Sequence, residues 1–133
     1  MSKLLERLQD PVRSGVYRVT RSDAIDDAMS DAAQIDLKDG NALHAISQAL
    51  RFPDWFGGNW DALEDCLGDL SWRPGNGHVL VLRNWQALTS DDLGVLIDVL
   101  RSSAEFWQGR GKPFFAVLVD PQARLALAPL HRE

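Results

Sequence analysis

The sequence predicts an α/β fold with a mostly parallel sheet, and three observations support this prediction. Two strongly apolar segments, "HVLVLR" and "FFAVLV", are typical of strands covered on both faces. Amphipathic helical segments alternate with the strand candidates, and helices between strands favour parallel pairing. The length of 133 residues and the hydrophobic fraction of 45% suit one domain spanning residues 1–133.

The N-terminal part of the chain alternates between helical and extended patterns. An amphipathic segment that begins near residue 2 predicts a short helix, which Pro11 ends. Apolar and polar residues then alternate over 15–21, which indicates a strand. A Ser-Asp start and several alanines predict a helix over 22–33. The segment 33–37 is a short strand candidate that ends in an Asp-Gly turn.

Two asparagines precede the helices predicted in the middle of the chain. Asn41 has the side chain of an N-cap, and Leu43, Ile46 and Leu50 follow it at helical spacing. Asn59 caps the next predicted helix, which runs to Asp69. The apolar stripe of that helix consists of Trp60, Leu63, Leu67 and Leu70.

The C-terminal part holds the two most apolar strands and the longest helix. The strands lie near 78–83 and 114–119, and we expect them at the centre of the sheet. Between them, a helix begins at Thr89 and Ser90 and ends at the glycines of "QGRGKP". The segment 121–133 is compatible with a short helix or with a tail packed across a sheet edge.

One short segment accounts for the acidity of the whole chain. Residues 52–72 contain five carboxylates, no lysine and no arginine, and three of the five tryptophans. The net charge is −5, so the other residues balance to zero. Such a field repels nucleic acid and attracts a basic partner, so we expect no direct nucleic-acid contact. A solvated face that keeps the protein soluble is the alternative explanation.

The spacing places several of these acids on one face of the predicted helix. Asp61, Glu64, Asp65 and Gly68 lie opposite the apolar stripe, and no basic residue lies three or four positions from any of the carboxylates. Asp69 falls near the helix end, where the dipole disfavours an acid. The missing counter-charges suggest that another molecule supplies them.

The loop before this helix adds aromatic surface next to the charge. Trp55 and Phe56 lie outside any periodic core pattern, and aromatic side chains beside a charged patch are typical of binding hot spots. Packing of both rings into the core is the alternative. Gly57 and Gly58 permit positive φ and a close approach to the backbone, or simply form the turn before Asn59.

Catalytic and metal chemistries receive little support from the sequence. Cys66 is the only cysteine, and burial and neighbouring acids would raise its pKa, which is the opposite of activation. The histidines lack zinc spacing, and no phosphate-loop or dinucleotide fingerprint is present. The sequence therefore predicts a protein that is not an enzyme and uses no cofactor or metal. No segment has the apolar length of a membrane span, and a reducing cytoplasm is expected.

The segment "FPDWFGGNWDALEDCL" resembles the signature of the barstar family, the intracellular inhibitors of secreted bacterial ribonucleases. That signature runs Pro, acid, two aromatics, Gly, any residue, Asn, any residue, Asp-Ala-Leu, any residue, Asp-Cys-Leu. The similarity extends over about residues 33–120. Residues 1–31 form an additional strand–helix unit, and 121–133 form a C-terminal tail. The resemblance implies about three parallel strands packed by helices. The β-α-β connection from residues 1–31 to the strand at 33–37 should be right-handed and add one parallel strand at an edge.

The resemblance also implies a function and a contact surface. The chain would block the active site of a small basic ribonuclease, in an immunity or antitoxin role, and would act as a monomer. Asp65 matches the aspartate that enters the enzyme's phosphate-binding site. The same surface would include the other predicted partner-binding residues, which are Trp55, Phe56, Gly57, Asn59, Asp61, Glu64, Gly68 and Asp69.

Three positions depart from the family pattern. Glu64 stands where the type member has tryptophan, and Gly58 stands where it has an acid. A family glutamate on the long helix falls near Ser102, with Glu105 close by in sequence. These departures leave open which nuclease is the target, and they leave a second hypothesis, a non-inhibitory acidic module that binds some other basic protein.

Overall fold

A four-stranded, all-parallel sheet forms the centre of the computed structural model, which describes residues 3–131. The strand order across the sheet is β1-β4-β3-β2. The strands are β1 (Gly15–Val19), β2 (Ala33–Asp36), β3 (His78–Arg83) and β4 (Phe114–Val119). The predicted α/β class is confirmed. Residues 1, 2, 132 and 133 lie outside the described part of the chain, and so do the predicted start of the first helix and the end of the predicted tail.

Within residues 3–131, five α-helices connect and cover the strands, in the order the sequence predicts. They are α1 (Lys3–Leu8), α2 (Asp23–Ala28), α3 (Ala42–Ala49), α4 (Trp60–Leu67) and α5 (Ser90–Gly109). Short 3-10 turns occupy Pro11–Arg13 and Trp85–Ala87.

The two apolar strands are central, as predicted, and their side chains alternate between two cores. Leu80 and Leu82 of β3 face the core formed with α3, α4 and α5. Val79 and Val81 face the opposite core, where Leu8 of α1 and Ile25 of α2 pack. A strand whose four central residues are all apolar therefore packs against two helical layers at once.

The additional N-terminal strand lies at one edge of the sheet. β1 pairs in parallel with β4, and β2 forms the opposite edge. The outer side of β1 is covered by the C-terminal tail, because the amide of Arg18 donates to Ala128 O at 3.0 Å and Leu130 donates to Arg18 O at 3.0 Å. The segment after Asp120 is thus a tail across an edge, and it hides backbone groups that would otherwise invite another strand.

Three of the predicted helix caps form, and one does not. The side chains of Asn41, Asn59 and Thr89 each accept an amide of the first helical turn, at 3.1, 2.8 and 3.1 Å. Ser22 occupies the cap position of α2 without such a bond. Its hydroxyl instead donates to Asp26 and accepts from Arg83, so a tertiary contact has replaced the local one.

Candidate functional site

Helix α4 separates its buried and acidic sides as the sequence predicts. Leu63, Cys66 and Leu67 are fully buried against the core. Asp61, Glu64 and Asp65 are exposed on the other side. We call these three residues, with Gly68 and Asp69, the acidic surface.

Within residues 3–131, the carboxylates of the acidic surface form no ion pair. The three ion pairs within residues 3–131 join Arg21 to Asp23, Lys38 to Asp36, and Arg83 to Asp26. None of them involves an acid of residues 52–72. The negative charge concentrated on this segment is therefore directed to solvent, where it acts on an approaching molecule.

The end of α4 differs from the prediction. The helix ends at Leu67, with Gly68 as its C-cap, so Asp69 lies in the following turn and not in the helix. Leu70 then adopts a positive φ of 49° and is buried in the core. Burial of Leu70 favours a sharp turn over a further helical turn, because the turn brings the side chain back under the helix.

The aromatic loop places its two predicted contact residues differently. Trp55 is 61% exposed, and its ring meets the edge of Trp72 at 6.3 Å between centroids. Phe56 is half-buried and packs against Phe52 at 4.9 Å. Gly57 and Gly58 are exposed, and Gly58 has a φ of 70°. Trp55 is therefore available to a partner, whereas Phe56 mainly supports the loop.

The remaining tryptophans of the segment, Trp60 and Trp72, are both half-buried. Trp60 is half-buried against the core of α3, α4 and α5, as its place in the apolar stripe predicts. Trp72 donates its indole N–H to Leu50 O at 2.9 Å. Asn59 is held as the cap of α4, so its side-chain oxygen is already used by Ala62 N.

A shallow depression of about 450 Å³ runs along the acidic surface, between α4 and α5. Its walls are Glu64, Asp65 and Gly68 on α4, and Ser102, Ser103 and Phe106 on α5. The two helices are tied together by Trp107, whose indole N–H donates to Leu67 O at 2.8 Å. Asp65 thus stands at the rim of a groove with a fixed second wall.

Phe106 was not among the residues predicted to contact a partner. It is 40% exposed, and it shares one side of α5 with Ser102, four positions earlier. Helical spacing alone could have paired these two residues, but only the packing of α5 on α4 places them beside Asp65. Ser102 does line the groove, whereas Glu105 is exposed elsewhere on α5.

The thiol of Cys66 has the surroundings of an unreactive group. The side chain is buried, and burial, followed by the charges of Asp69 and Asp65, raises its pKa. A raised pKa depletes the nucleophilic thiolate. Within residues 3–131, histidine, cysteine and acidic side chains do not gather in the groups of three or more that a metal ion requires.

One property of the helices and two comparisons with known proteins bear on what kind of protein this is. None of the helices within residues 3–131 has the length and apolar character needed to cross a membrane. A search of curated proteins found no match to the chain. The sequence model of the Barstar (barnase inhibitor) family matches residues 36–119, which begin at the last residue of β2 and include β3, β4, the aromatic loop and the acidic surface. Because this match spans more than half of the chain, the protein belongs to the Barstar (barnase inhibitor) family.

Proposed function

We propose that this protein inhibits a small basic ribonuclease of the barnase type by inserting the acidic surface into the enzyme's active site. The family is one of ribonuclease inhibitors and not of enzymes. The observation that carries the proposal is the position of Asp65, exposed at the rim of the groove between α4 and α5 and without an ion pair among residues 3–131.

The chemistry of the acidic surface suits such a target. A ribonuclease binds the phosphates of RNA with cationic side chains, and a carboxylate offers them oxygen acceptors of the same charge sign. Asp61, Glu64 and Asp65 present three carboxylates along one helix, as a strand of RNA presents successive phosphates. Their long-range field would also speed the encounter with a basic enzyme.

Apolar side chains flank the charged centre and would seal it. Trp55 is exposed before α4, and Phe106 is exposed on the far wall of the groove. Aromatic residues around a desolvated charge are typical of hot-spot clusters, because they exclude water from the charged contact. In this role the chain would serve as a cytoplasmic immunity protein, or antitoxin, in the bacterium that makes the ribonuclease.

The test compares the wild type with the Asp65→Ala variant against a barnase-type ribonuclease. We expect the variant to lose at least ~2 kcal/mol of binding, about 30-fold in affinity, and to protect cells poorly when the two proteins are co-expressed in a bacterial cytoplasm. The barnase–barstar complex is itself among the systems that established hot-spot magnitudes, so this figure is carried over from the family.

A matched control is available on the opposite side of the sheet. Asp27→Ala on α2 removes the same charge from an exposed position outside the acidic surface, and it should inhibit as the wild type does. Equal inhibition by Asp65→Ala and wild type would rule out the proposed contact. Absence of inhibition by the wild type, with capture of a basic protein that is not a nuclease, would favour a non-inhibitory interaction module instead.

A further inference from the structure

A cleft with the opposite charge lies at the N-terminal end of β3 and β4. It has a larger part of about 590 Å³ and a smaller part of about 390 Å³. Both parts are lined by His78, Arg110 and Lys112, and the smaller part also by Arg73. We call the cleft lined by these four residues the basic cleft.

The three cations of the basic cleft have no carboxylate partner within residues 3–131. Arg73 donates through Nη2 to Asp31 O at 3.3 Å, and its Nε is buried with no acceptor. The guanidinium of Arg110 lies 4.7 Å from the ring centroid of Phe106, and the ammonium of Lys112 lies 5.8 Å from that of Trp107. The aromatic rings hold these cations in place without neutralising them.

His78 adds a buried and unsatisfied polar atom to the same place. Its side chain is 5% exposed, and Nδ1 has no hydrogen-bond partner. The ring packs edge-on to Trp107 at 5.1 Å. Burial, followed by the charges of Arg73 and Lys112, lowers the pKa of His78 to about 4, so the imidazole is neutral near pH 7. A buried polar atom without a partner is uncommon in proteins and calls for an explanation.

Two glycine-containing loops form the walls of the basic cleft. A Cβ on Gly77 would lie 2.4 Å from Cγ of Pro113, so only glycine lets the loop 73–77 touch the loop 110–113. Within residues 3–131, the amides of Gly75 and Asn76 donate to no protein acceptor. Free backbone amides beside cations are suited to bind phosphate oxygens.

Both acidic and apolar groups also line the basic cleft. Asp69 faces the smaller part and Asp31 the larger part, so three cations oppose two carboxylates. The larger part continues into an apolar wall formed by Leu8, Pro11 and Met29. Its volume is in the range of small-molecule sites, which usually combine a mainly apolar lining with a few polar groups.

We propose that the basic cleft binds a small phosphate-bearing molecule of nucleoside monophosphate size. The phosphate contacts Arg73, Arg110 and Lys112, and the apolar wall receives the base. The smaller part of the basic cleft adjoins the acidic surface at Gly68 and Asp69, whereas no residue of the acidic surface lines the larger part, which holds the apolar wall.

The test titrates the protein with inorganic phosphate and with adenosine monophosphate, at an ionic strength matched with sodium chloride. We expect saturable binding, tighter for the nucleotide than for phosphate, and a weakening of at least about tenfold in Lys112→Gln. Arg101→Gln, which removes an exposed cation of α5 outside the basic cleft, should bind as the wild type does.

A second readout follows His78 directly by NMR. Bound phosphate offsets the charges of Arg73 and Lys112, so the pKa of His78 should rise from about 4 toward 6.5. An unchanged His78 titration, or equal binding by wild type and Lys112→Gln, overturns the proposal. Equal affinity for phosphate and nucleotide overturns the assignment of the apolar wall. Because this readout needs no ribonuclease, its failure is independent of the inhibitory function.

Discussion

Helices α2 and α4 both carry aspartates at the surface, but the surroundings of these acids differ. Asp26 of α2 accepts hydrogen bonds from Ser22, Gln34 and Arg83. Asp65 of α4 faces the groove between α4 and α5 with no ion pair among residues 3–131. One acid is used by the fold, and the other is left available to a partner. The number of charges in a segment therefore matters less than where their counter-charges lie.

The most direct test replaces each of the two acids with alanine and measures both the free energy of unfolding and ribonuclease binding. Asp26→Ala should lower the free energy of unfolding by about 1 kcal/mol, because it removes the carboxylate that accepts from Ser22, Gln34 and Arg83, and should leave ribonuclease binding unchanged. Asp65→Ala should do the reverse, with a binding loss of at least ~2 kcal/mol and stability within about 0.5 kcal/mol of wild type. Urea unfolding and binding titrations measure both effects.

A slight gain in the free energy of unfolding of Asp65→Ala would strengthen this contrast between Asp26 and Asp65. Asp65 and Asp69 both place negative charge beside Cys66, and alanine has a higher helix propensity than aspartate. Residues kept for binding often reduce stability in this way. A large loss of stability in Asp65→Ala would instead place Asp65 among the acids that the fold uses.

The same contrast exists for cations, and it predicts a pH dependence. Arg83 is paired, whereas Arg73 and Lys112 have no acid partner among residues 3–131 and face His78. The pKa of His78 is about 4 in the folded protein and 6.5 without these surroundings, so the unfolded chain takes up a proton first as the pH falls. The stability that neutral His78 contributes is therefore present above about pH 6.5 and is lost toward pH 4, by on the order of 3 kcal/mol.

Urea unfolding of wild type and His78→Gln isolates this contribution. Other acid-titrating groups are common to both proteins, so the difference between their pH profiles belongs to His78. His44→Gln, at an exposed position of α3, serves as the control and should follow the wild type. Parallel profiles for wild type and His78→Gln would contradict the predicted shift.

Local signals explain why so much of the fold was predictable. The caps at Asn41, Asn59 and Thr89 each use a hydrogen bond to an amide three residues further along. The continuous apolar runs of β3 and β4 indicate that both faces of these strands are covered. The acids of α4 were placed correctly because 3.6-residue spacing decides which side of a helix they share.

The remaining features depend on contacts between distant segments. Trp55 and Phe56 are adjacent in sequence, but Phe56 packs against Phe52 and the core whereas Trp55 stays exposed. The groove needs α5 to lie against α4, and the basic cleft needs two loops to meet at Gly77 and Pro113. No periodicity within a single segment contains that information.

The smallest expected effect concerns Asp36, which is the last residue of β2 and, like Asp26, has partners within the fold. Its carboxylate accepts from the side chain of Asn84 at 2.7 Å and from the amide of Lys38 at 3.0 Å, and these hydrogen bonds lower the pKa of Asp36. Asn84→Gly removes the first donor and tolerates the left-handed φ of 61° at that position, so the pKa should rise toward 3.8. Carboxyl NMR titration measures the change, with Asp39 as the internal control. An unchanged pKa would mean that the amide of Lys38 alone holds the charge, and that a paired acid here needs no side-chain partner.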